Sequence, residues 1–386
     1  MTGTPVLQSK LSTAGVSIFA VMTRLANDHG AINLSQGFPD FDCAPELVDA
    51  VARNMRDGHN QYAPMPGVLS LRQALSAKIE RLYGRRYDPI SEITVTTGAT
   101  EGLFAALTAF VHPGDEVLLF QPAYDSYTPA VQLSGGIPKY VTLRFPDYRI
   151  DWDEVRRAIS PRTRVIVMNS PHNPTGMIWT ADDIAELRAV LLGTDAIVIS
   201  DEVYEHLIFD GARHESLARY PEIAERAVVI SSFGKTYHTT GWKVGYCAAP
   251  PALTAEIQRV HQWVTFAVNG AVQMAYAEMV NRDPVTAGGV TSFYQQRRDR
   301  FLGLVSASRF RPLACRGTFF QMLDYSAITD ERDADFAIRM TKEHGVAAIP
   351  ISPFLQAGVD PGPVLRFCFA KRDETLERAA ERLCRI

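Results

Sequence analysis

A chain of 386 residues, 46% hydrophobic and 21% charged, has the make-up of a folded globular protein and is longer than one hydrophobic core usually organises, so two domains, or one large domain with a smaller satellite, are expected. A net charge of −4, with the arginine pairs Arg85-Arg86, Arg156-Arg157 and Arg297-Arg298 interleaved with acids as solvated helix faces, offers no field to draw nucleic acid. The five cysteines and nine histidines are dispersed without disulfide or metal-ligand spacing, Met1 to Pro5 opens no leader, and no stretch has the apolar length of a membrane span; a cytoplasmic enzyme without a metal is the expectation.

Val16 to Asn27 carries apolar residues at helical spacing, and Ala31 to Asp40 is an extended piece broken by Gly37 and Pro39. Gly37 is either a simple turn or a place where backbone can approach a ligand. Pro45 to Arg56 reads as a helix with proline near its start. Asn60 to Gly67 is too rich in Pro and Gly to be regular, and its Tyr62 sits on an exposed loop ahead of the amphipathic Leu69 to Tyr83.

From Ile93 the pattern changes to β-type runs alternating with helical ones. Ile93 to Thr97 precedes Glu101 to Phe110, Glu116 to Phe120 precedes Asp125 to Leu133, Arg164 to Met168 precedes Asp182 to Leu192, and Ala196 to Ser200 follows. Such a series implies βαβ units and a mainly parallel sheet buried on both faces, with ligands bound beyond the carboxyl ends of the strands. Polar groups stand at those ends: Gly98-Ala99-Thr100 at a helix N-terminus suited to an anion, Tyr124 after the second run, Asn173 in Asn169 to Gly176, and Asp201 with Tyr204 after the run ending at Ser200.

The run Ala227 to Ile230 leads into Ser231-Ser232-Phe233-Gly234-Lys235, which places Lys235 on a loop leaving a buried strand. Burial disfavours an ammonium and favours the neutral amine, so Lys235 is a natural anchor for a carbonyl compound. Lys243 follows between Gly241 and Gly245. Ser232 to Lys235 also fits Ser-x-x-Lys, without the companion Lys-Thr-Gly or Ser-Asp-Asn, and Gly234-Lys235-Thr236 fits the end of a P-loop whose earlier glycine is replaced by Val229. Beyond Gly245, long helical stretches (Pro251 to Met279, Thr291 to Ser308) and separate strands and helices to the C-terminus suggest a second, α+β domain, with the boundary near Asn281 where Arg282-Asp283-Pro284 interrupts the pattern. Within it Val364 to Phe369 puts Arg366 inside an apolar strand, where it needs either an internal salt bridge or a ligand carboxylate.

The segment around Lys235, together with Ser-Gln-Gly-Phe-Pro-Asp-Phe at residues 35–41 and Ser-Pro-His-Asn-Pro-Thr-Gly at residues 170–176, resembles the class I aminotransferases, in the branch of the kynurenine–oxoglutarate transaminases and bacterial methionine aminotransferases. The resemblance runs from about Val16 to the C-terminus. It implies a fold-type I pyridoxal 5'-phosphate enzyme of α/β class, with a large domain over 44–280 whose mainly parallel sheet, of the seven-stranded type, is sandwiched by helices, and a small α+β domain from 1–43 and 281–386. It implies that Lys235 binds the cofactor and acts as acid and base, that Asp201 faces the pyridine nitrogen, that Asn173 and Tyr204 bond the ring oxygen, and that Tyr124 lies on the ring face. Ala99, Thr100, Ser232, Lys243 and Tyr62 from a partner subunit would hold the phosphate, and Gly37, Asn173 and Arg366 the substrate. Lysine at 243 departs from the arginine more common in the family, offering a point charge in place of a fork.

The same resemblance implies a homodimer with shared active sites that exchanges amino groups between amino acids and 2-oxo acids. The resemblance puts the arginine that dicarboxylate-preferring relatives place against a distal carboxylate in the partner's segment Gln262 to Asn269; no arginine occurs there or anywhere from Val260 through Asn281, Trp263, Phe266 and Val268 occur instead, and Ile18, Phe38 and Phe266 are candidate pocket walls. Methionine or an aromatic amino acid such as phenylalanine, tyrosine or kynurenine is therefore the expected donor. A cysteine-S-conjugate β-lyase on the same scaffold would use the same residues. A non-catalytic cofactor-sensing domain would need a DNA-binding module for which there is no basic extension.

Overall fold

The computed structural model describes residues 8–11, 15–283 and 287–386, so Met1 to Pro5 and Pro284 lie outside the described residues. Helix α1 (Ile18–Asp28) leads to the short strand β1 (Ile32–Asn33) and then to helices α2 (Pro45–Arg56) and α3 (Leu69–Tyr83). Seven further strands follow: β2 Ile93–Thr96, β3 Glu116–Gln121, β4 Ile137–Thr142, β5 Thr163–Asn169, β6 Ile197–Asp201, β7 Ala227–Ser232 and β8 Gly245–Ala248. They form one sheet in the order β2-β8-β7-β6-β5-β3-β4, in which β8 is antiparallel to both neighbours and the pairs β3–β4, β3–β5, β5–β6 and β6–β7 are parallel.

The inner strands read as unbroken apolar runs because both faces are covered. Val117 and Leu119 of β3 point into a layer built with α4 (Gly98–Phe110) and the helix Pro251–Val264, whereas Leu118 and Phe120 point into the opposite layer with α3 and the helix Gly270–Arg282. The edge strand β4 is not found by looking for apolar runs, because Pro138 and Lys139 interrupt it and its burial alternates.

C-terminal strands β9 (Arg311–Pro312), β10 (Phe320–Asp324), β12 (Ile349–Pro350) and β13 (Val364–Cys368) make a separate antiparallel sheet in the order β12-β13-β10-β9. β11 (Val346–Ala347) pairs in parallel with β1, which ties the N-terminal segment to the C-terminal elements.

Three local expectations change. The stretch from Pro251 is two helices, broken at Thr265 to Asn269, where Phe266 takes φ +69° and the Asn269 side chain accepts from the Val272 N–H at 3.1 Å to start the second helix. Lys235 lies not in an open loop but in a single helical turn, Phe233–Thr236. Arg298 is no solvated helix face: it is 7% exposed and its guanidinium clasps both carboxylate oxygens of Asp210 at 2.6 and 2.7 Å.

One buried polar knot joins the central strands to α3. The Glu205 carboxylate, just past β6, accepts from Lys78 Nζ (2.6 Å), Ser231 Oγ (2.7 Å) and Tyr246 Oη (3.0 Å) on Oε1 and from Tyr83 Oη (2.6 Å) on Oε2. Burial alone would raise this carboxyl, but Lys78 and the surrounding donors outweigh it and hold it well below the usual range. Removing one partner leaves an uncompensated buried charge. Lys78→Met should therefore lower the unfolding free energy by about 3–5 kcal/mol in denaturant titration, and Lys78→Met with Glu205→Gln should recover part of that loss.

Candidate active site

Each polar group flagged beyond a strand end sits at the same edge of the sheet, because the parallel strands all present their carboxyl ends there. A cavity of about 290 Å³ opens at that edge, and Gly37, Ala99, Thr100, Tyr124, Asn173, Asp201, Tyr204, Ser232, Lys235, Lys243 and Arg366 line it. Arg366 and Gly37 come from outside the large sheet, so elements near both ends of the chain help to close the cavity.

Half-buried Lys235 donates from Nζ to the Gly37 carbonyl at 3.2 Å, with the rings of Phe319 and Tyr204 at 5.1 and 5.6 Å. Loss of hydration pushes its ammonium down to about 8. Asp201, the last residue of β6, is 4% exposed. Burial pushes its carboxyl up to about 6, although Tyr127 Oη (2.6 Å) and the Val203 N–H (3.3 Å) both donate to it. Such a carboxylate has an unmet demand for a cation.

An anion cradle lies at the start of α4. No side chain caps that helix, which leaves first-turn N–H groups to a ligand. Gly98 takes φ +71°, and a Cβ placed there would stand 3.3 Å from Lys243 Nζ, so the lysine lies directly over the turn. Lys243 itself is held at φ +54°, a left-handed conformation that costs a non-glycine residue about 1–2 kcal/mol and aims its side chain back at Gly98. A Cβ on Gly245 would come within 2.7 Å of the Ala99 nitrogen, so only glycine lets β8 pass this close.

Arg366 is fully buried on β13. Nη1 donates to Asn173 Oδ1 at 2.7 Å and Nη2 to the Ser35 carbonyl at 3.0 Å, the ring of Phe320 lies 3.8 Å from Cζ, and Nε is buried without a partner. Among the described residues no acidic side chain pairs with it, so of the two sequence alternatives the internal salt bridge is not the one found. Burial lowers its pKa to about 10, the mark of a cation lacking an anion.

Tyr62 is the exception. It is 85% exposed, does not line the cavity of its own chain, and meets the ring of Phe266 at 5.5 Å. The apolar walls also differ in part from expectation: Phe19 lines the cavity in place of its neighbour Ile18, Phe320 joins it, and Phe38 is 46% exposed outside it, while Phe266, expected on the segment a partner presents, is 46% exposed outside the cavity of its own chain. Sequence reasoning missed Tyr127, which bonds Asp201, and Asn169, whose Oδ1 accepts from the Asn173 N–H at 2.8 Å and whose Nδ2 donates to the Asp201 carbonyl at 3.0 Å. Asn169 ends its own apolar run, which was the available signal; Tyr127 had none beyond standing three residues after Tyr124.

An amine with a lowered pKa, a buried carboxylate without an ion-pair partner, an uncapped helix start under a lysine and a cavity of about 290 Å³ with Tyr124 in its wall fit pyridoxal phosphate. Comparison with known proteins agrees. The family Aminotransferase class I and II matches residues 29–383. The chain is 50% identical to the methionine aminotransferase of Escherichia coli over 99% of both chains, and an Escherichia coli structure described as having a methionine aminotransferase function superposes with a TM-score of 0.97 over 99% of this chain and 100% of that one, at 50% identity. The N-succinyldiaminopimelate aminotransferase of Mycobacterium tuberculosis is 38% identical, with a TM-score of 0.95 over 98% of this chain and 99% of that one. The kynurenine–oxoglutarate transaminase of Dictyostelium discoideum is 34% identical over 97% of this chain and 95% of its own. The fold, the chemistry gathered at the sheet edge and this similarity lead to one conclusion: the chain belongs to the class I and II aminotransferases, enzymes that depend on pyridoxal phosphate and exchange amino groups between amino acids and 2-oxo acids.

Proposed function

We propose that the preferred amino donor is methionine or an aromatic amino acid. The observation that carries this is the assignment of charge in the cavity. Its lining cations are Lys235, Lys243 and Arg366, and each already has a task, at the cofactor aldehyde, the cofactor phosphate and the substrate α-carboxylate. The rest of the wall offers Phe19, Leu103, Val203 and Phe320. A second substrate carboxylate buried there would lose hydration worth several kcal/mol without compensation, whereas an apolar side chain gains roughly 25 cal/mol per Å². Methionine stands first because its flexible thioether suits a wall of mixed rings and branched chains, and the names of the Escherichia coli and Dictyostelium relatives point the same way.

Pyridoxal phosphate, when bound, supplies an aldehyde that condenses with an amine and a ring that takes up the electrons left as the α-proton departs. The chain's own residues do the rest. Asp201 holds the proton on the pyridine nitrogen, and Tyr127 keeps that carboxylate in place. Arg366 grips the substrate carboxylate with a guanidinium that Asn173 and Phe320 have already oriented, so little rotamer freedom is lost on binding. Asn173 Oδ1 is taken by Arg366, which leaves its Nδ2, with Tyr204 Oη, as donors to the ring oxygen. Lys235 Nζ, whose ammonium burial destabilises, takes the proton from the substrate Cα in its neutral form.

We further assign residues 44–280 to the large domain, with 1–43 and 281–386 to the small one, and read the protein as a cytoplasmic homodimer. Free cysteines at 43, 247, 315, 368 and 384 suit a reducing compartment. An exposed patch of Tyr62, Trp263, Val264 and Phe266 supports a shared site, with Tyr62 reaching the partner's cradle.

Lys235→Ala should reduce kcat by about 10²–10⁴. In the apoprotein, acylation of Lys235 mapped by mass spectrometry should rise with pH about a midpoint near 8, since a lowered pKa makes the neutral amine available above that value. For the substrate, kcat/KM should be highest for methionine, followed by phenylalanine and kynurenine, and at least roughly a hundredfold lower for aspartate. Preference for aspartate or N-succinyldiaminopimelate would reveal an unrecognised distal cation, and pyruvate release from a cysteine conjugate in excess of amino transfer would favour the β-lyase.

A further inference from the structure

Helix α1 begins in an unusual way. Its N-cap is Ser17, a residue type whose hydroxyl ordinarily accepts a backbone N–H of its own helix, yet here the side chain makes no cap. Ser17 Oγ instead donates to Asp125 Oδ2 at 2.7 Å, across 108 positions of sequence. The first turn of α1 contains no acidic residue, so the carboxylate that complements the positive end of this helix comes from Asp125 as well.

The same turn carries Phe19. From the other side the Gln36 side-chain amide donates to the Phe19 carbonyl at 3.2 Å, so the turn is held at two points. The Phe19 ring thereby stands 5.1 Å from the Arg366 guanidinium carbon and 5.8 Å from the ring of Phe354, forming one wall of the cavity. Asp125 does not line that cavity; it follows Tyr124, which does, on the connection leaving β3.

We propose that Asp125 is a positioning residue for substrate selection: through Ser17 it latches the first turn of α1 to the connection after β3 and so fixes Phe19 beside Arg366. The inference rests on the cavity being the amino-acid pocket. Because the latch is exposed while the wall it sets is not, loosening it affects how tightly an apolar side chain is held and leaves the proton transfer at Lys235 alone.

The test uses the holoenzyme with methionine as donor, comparing Ser17→Ala, Asp125→Ala and Asp125→Asn, together with hydrogen–deuterium exchange of residues 18–22. Ser17→Ala and Asp125→Ala should each raise KM roughly three-fold with kcat little changed and speed exchange of the first turn by a similar factor, and the double variant should be no worse than either single one. Asp125→Asn keeps an acceptor oxygen for Ser17 and should stay nearer the parent protein than Asp125→Ala in both measurements. Unchanged exchange and KM in Ser17→Ala, or additive losses in the double variant, would overturn the latch. Equal loss in Asp125→Asn and Asp125→Ala would overturn it too, by showing that the charge acts directly on Arg366. Failure of the substrate assignment is distinguishable: the parent protein would then lack methionine activity, while the exchange measurement would still report on the latch.

Discussion

Burial of charge without an opposite partner is the constraint on which this structure turns. Among the described residues Arg366 is fully buried with one unpaired N–H and no acidic side chain in ion-pair contact, and Asp201 is a nearly buried carboxylate whose hydrogen bonds come from the neutral donors Tyr127 Oη and the Val203 N–H. Either group in an ordinary core would be replaced or neutralised, since leaving an ion unpaired away from water costs several kcal/mol. Both persist because the surrounding elements hold them on the walls of one cavity, open to a ligand that carries charges of both signs. The cavity thus presents two half-finished ion pairs, one anionic and one cationic.

Holding such groups requires rigidity behind them. Glu205 gathers four donors from α3, β7 and β8 immediately after Tyr204, so the segment that bears Asp201 and Tyr204 is locked to the strand that ends at Ser232. Asn169 does the same on the other side, joining the end of β5 to the backbone of both Asn173 and Asp201. Fully paired knots of this kind contribute less to net stability than to geometry. Lys243, in its left-handed conformation, lies between Gly98, which its side chain approaches, and the narrow passage at Gly245.

The cavity draws its polar groups and its apolar wall from different parts of the fold. The polar groups stand mostly at the carboxyl ends of the parallel strands, which the sheet fixes, whereas Phe19 on α1 and Phe320 on β10 line the cavity from elements outside that sheet. Variation in those elements would reshape that wall while leaving the strand ends that carry Lys235 and Asp201 in place. That separation suits a family in which relatives of 34–50% identity carry names for different amino donors.

The sequence by itself determined the alternating βα series, the mainly parallel sheet and the residues at the strand ends, because strands buried on both faces must be continuous apolar runs and whatever polar group ends each run must lie at the sheet edge. Lys235, Asp201, Asn173 and Tyr204 were legible for that reason, and Arg366 because an arginine inside an apolar strand is conspicuous. Tertiary structure alone decided what lies next to what. Nothing local in Ser17 or Asp125 reveals that they touch, nothing in Tyr127 reveals that it bonds Asp201, and the choice between Ile18 and Phe19 as a wall depends on the rotation of α1 about its axis, which the contact partners of the helix set and its own periodicity leaves open. The edge strand β4 was missed for the complementary reason: one face and one edge of it are free, so its residues are not held to the apolar pattern that marks the strands inside.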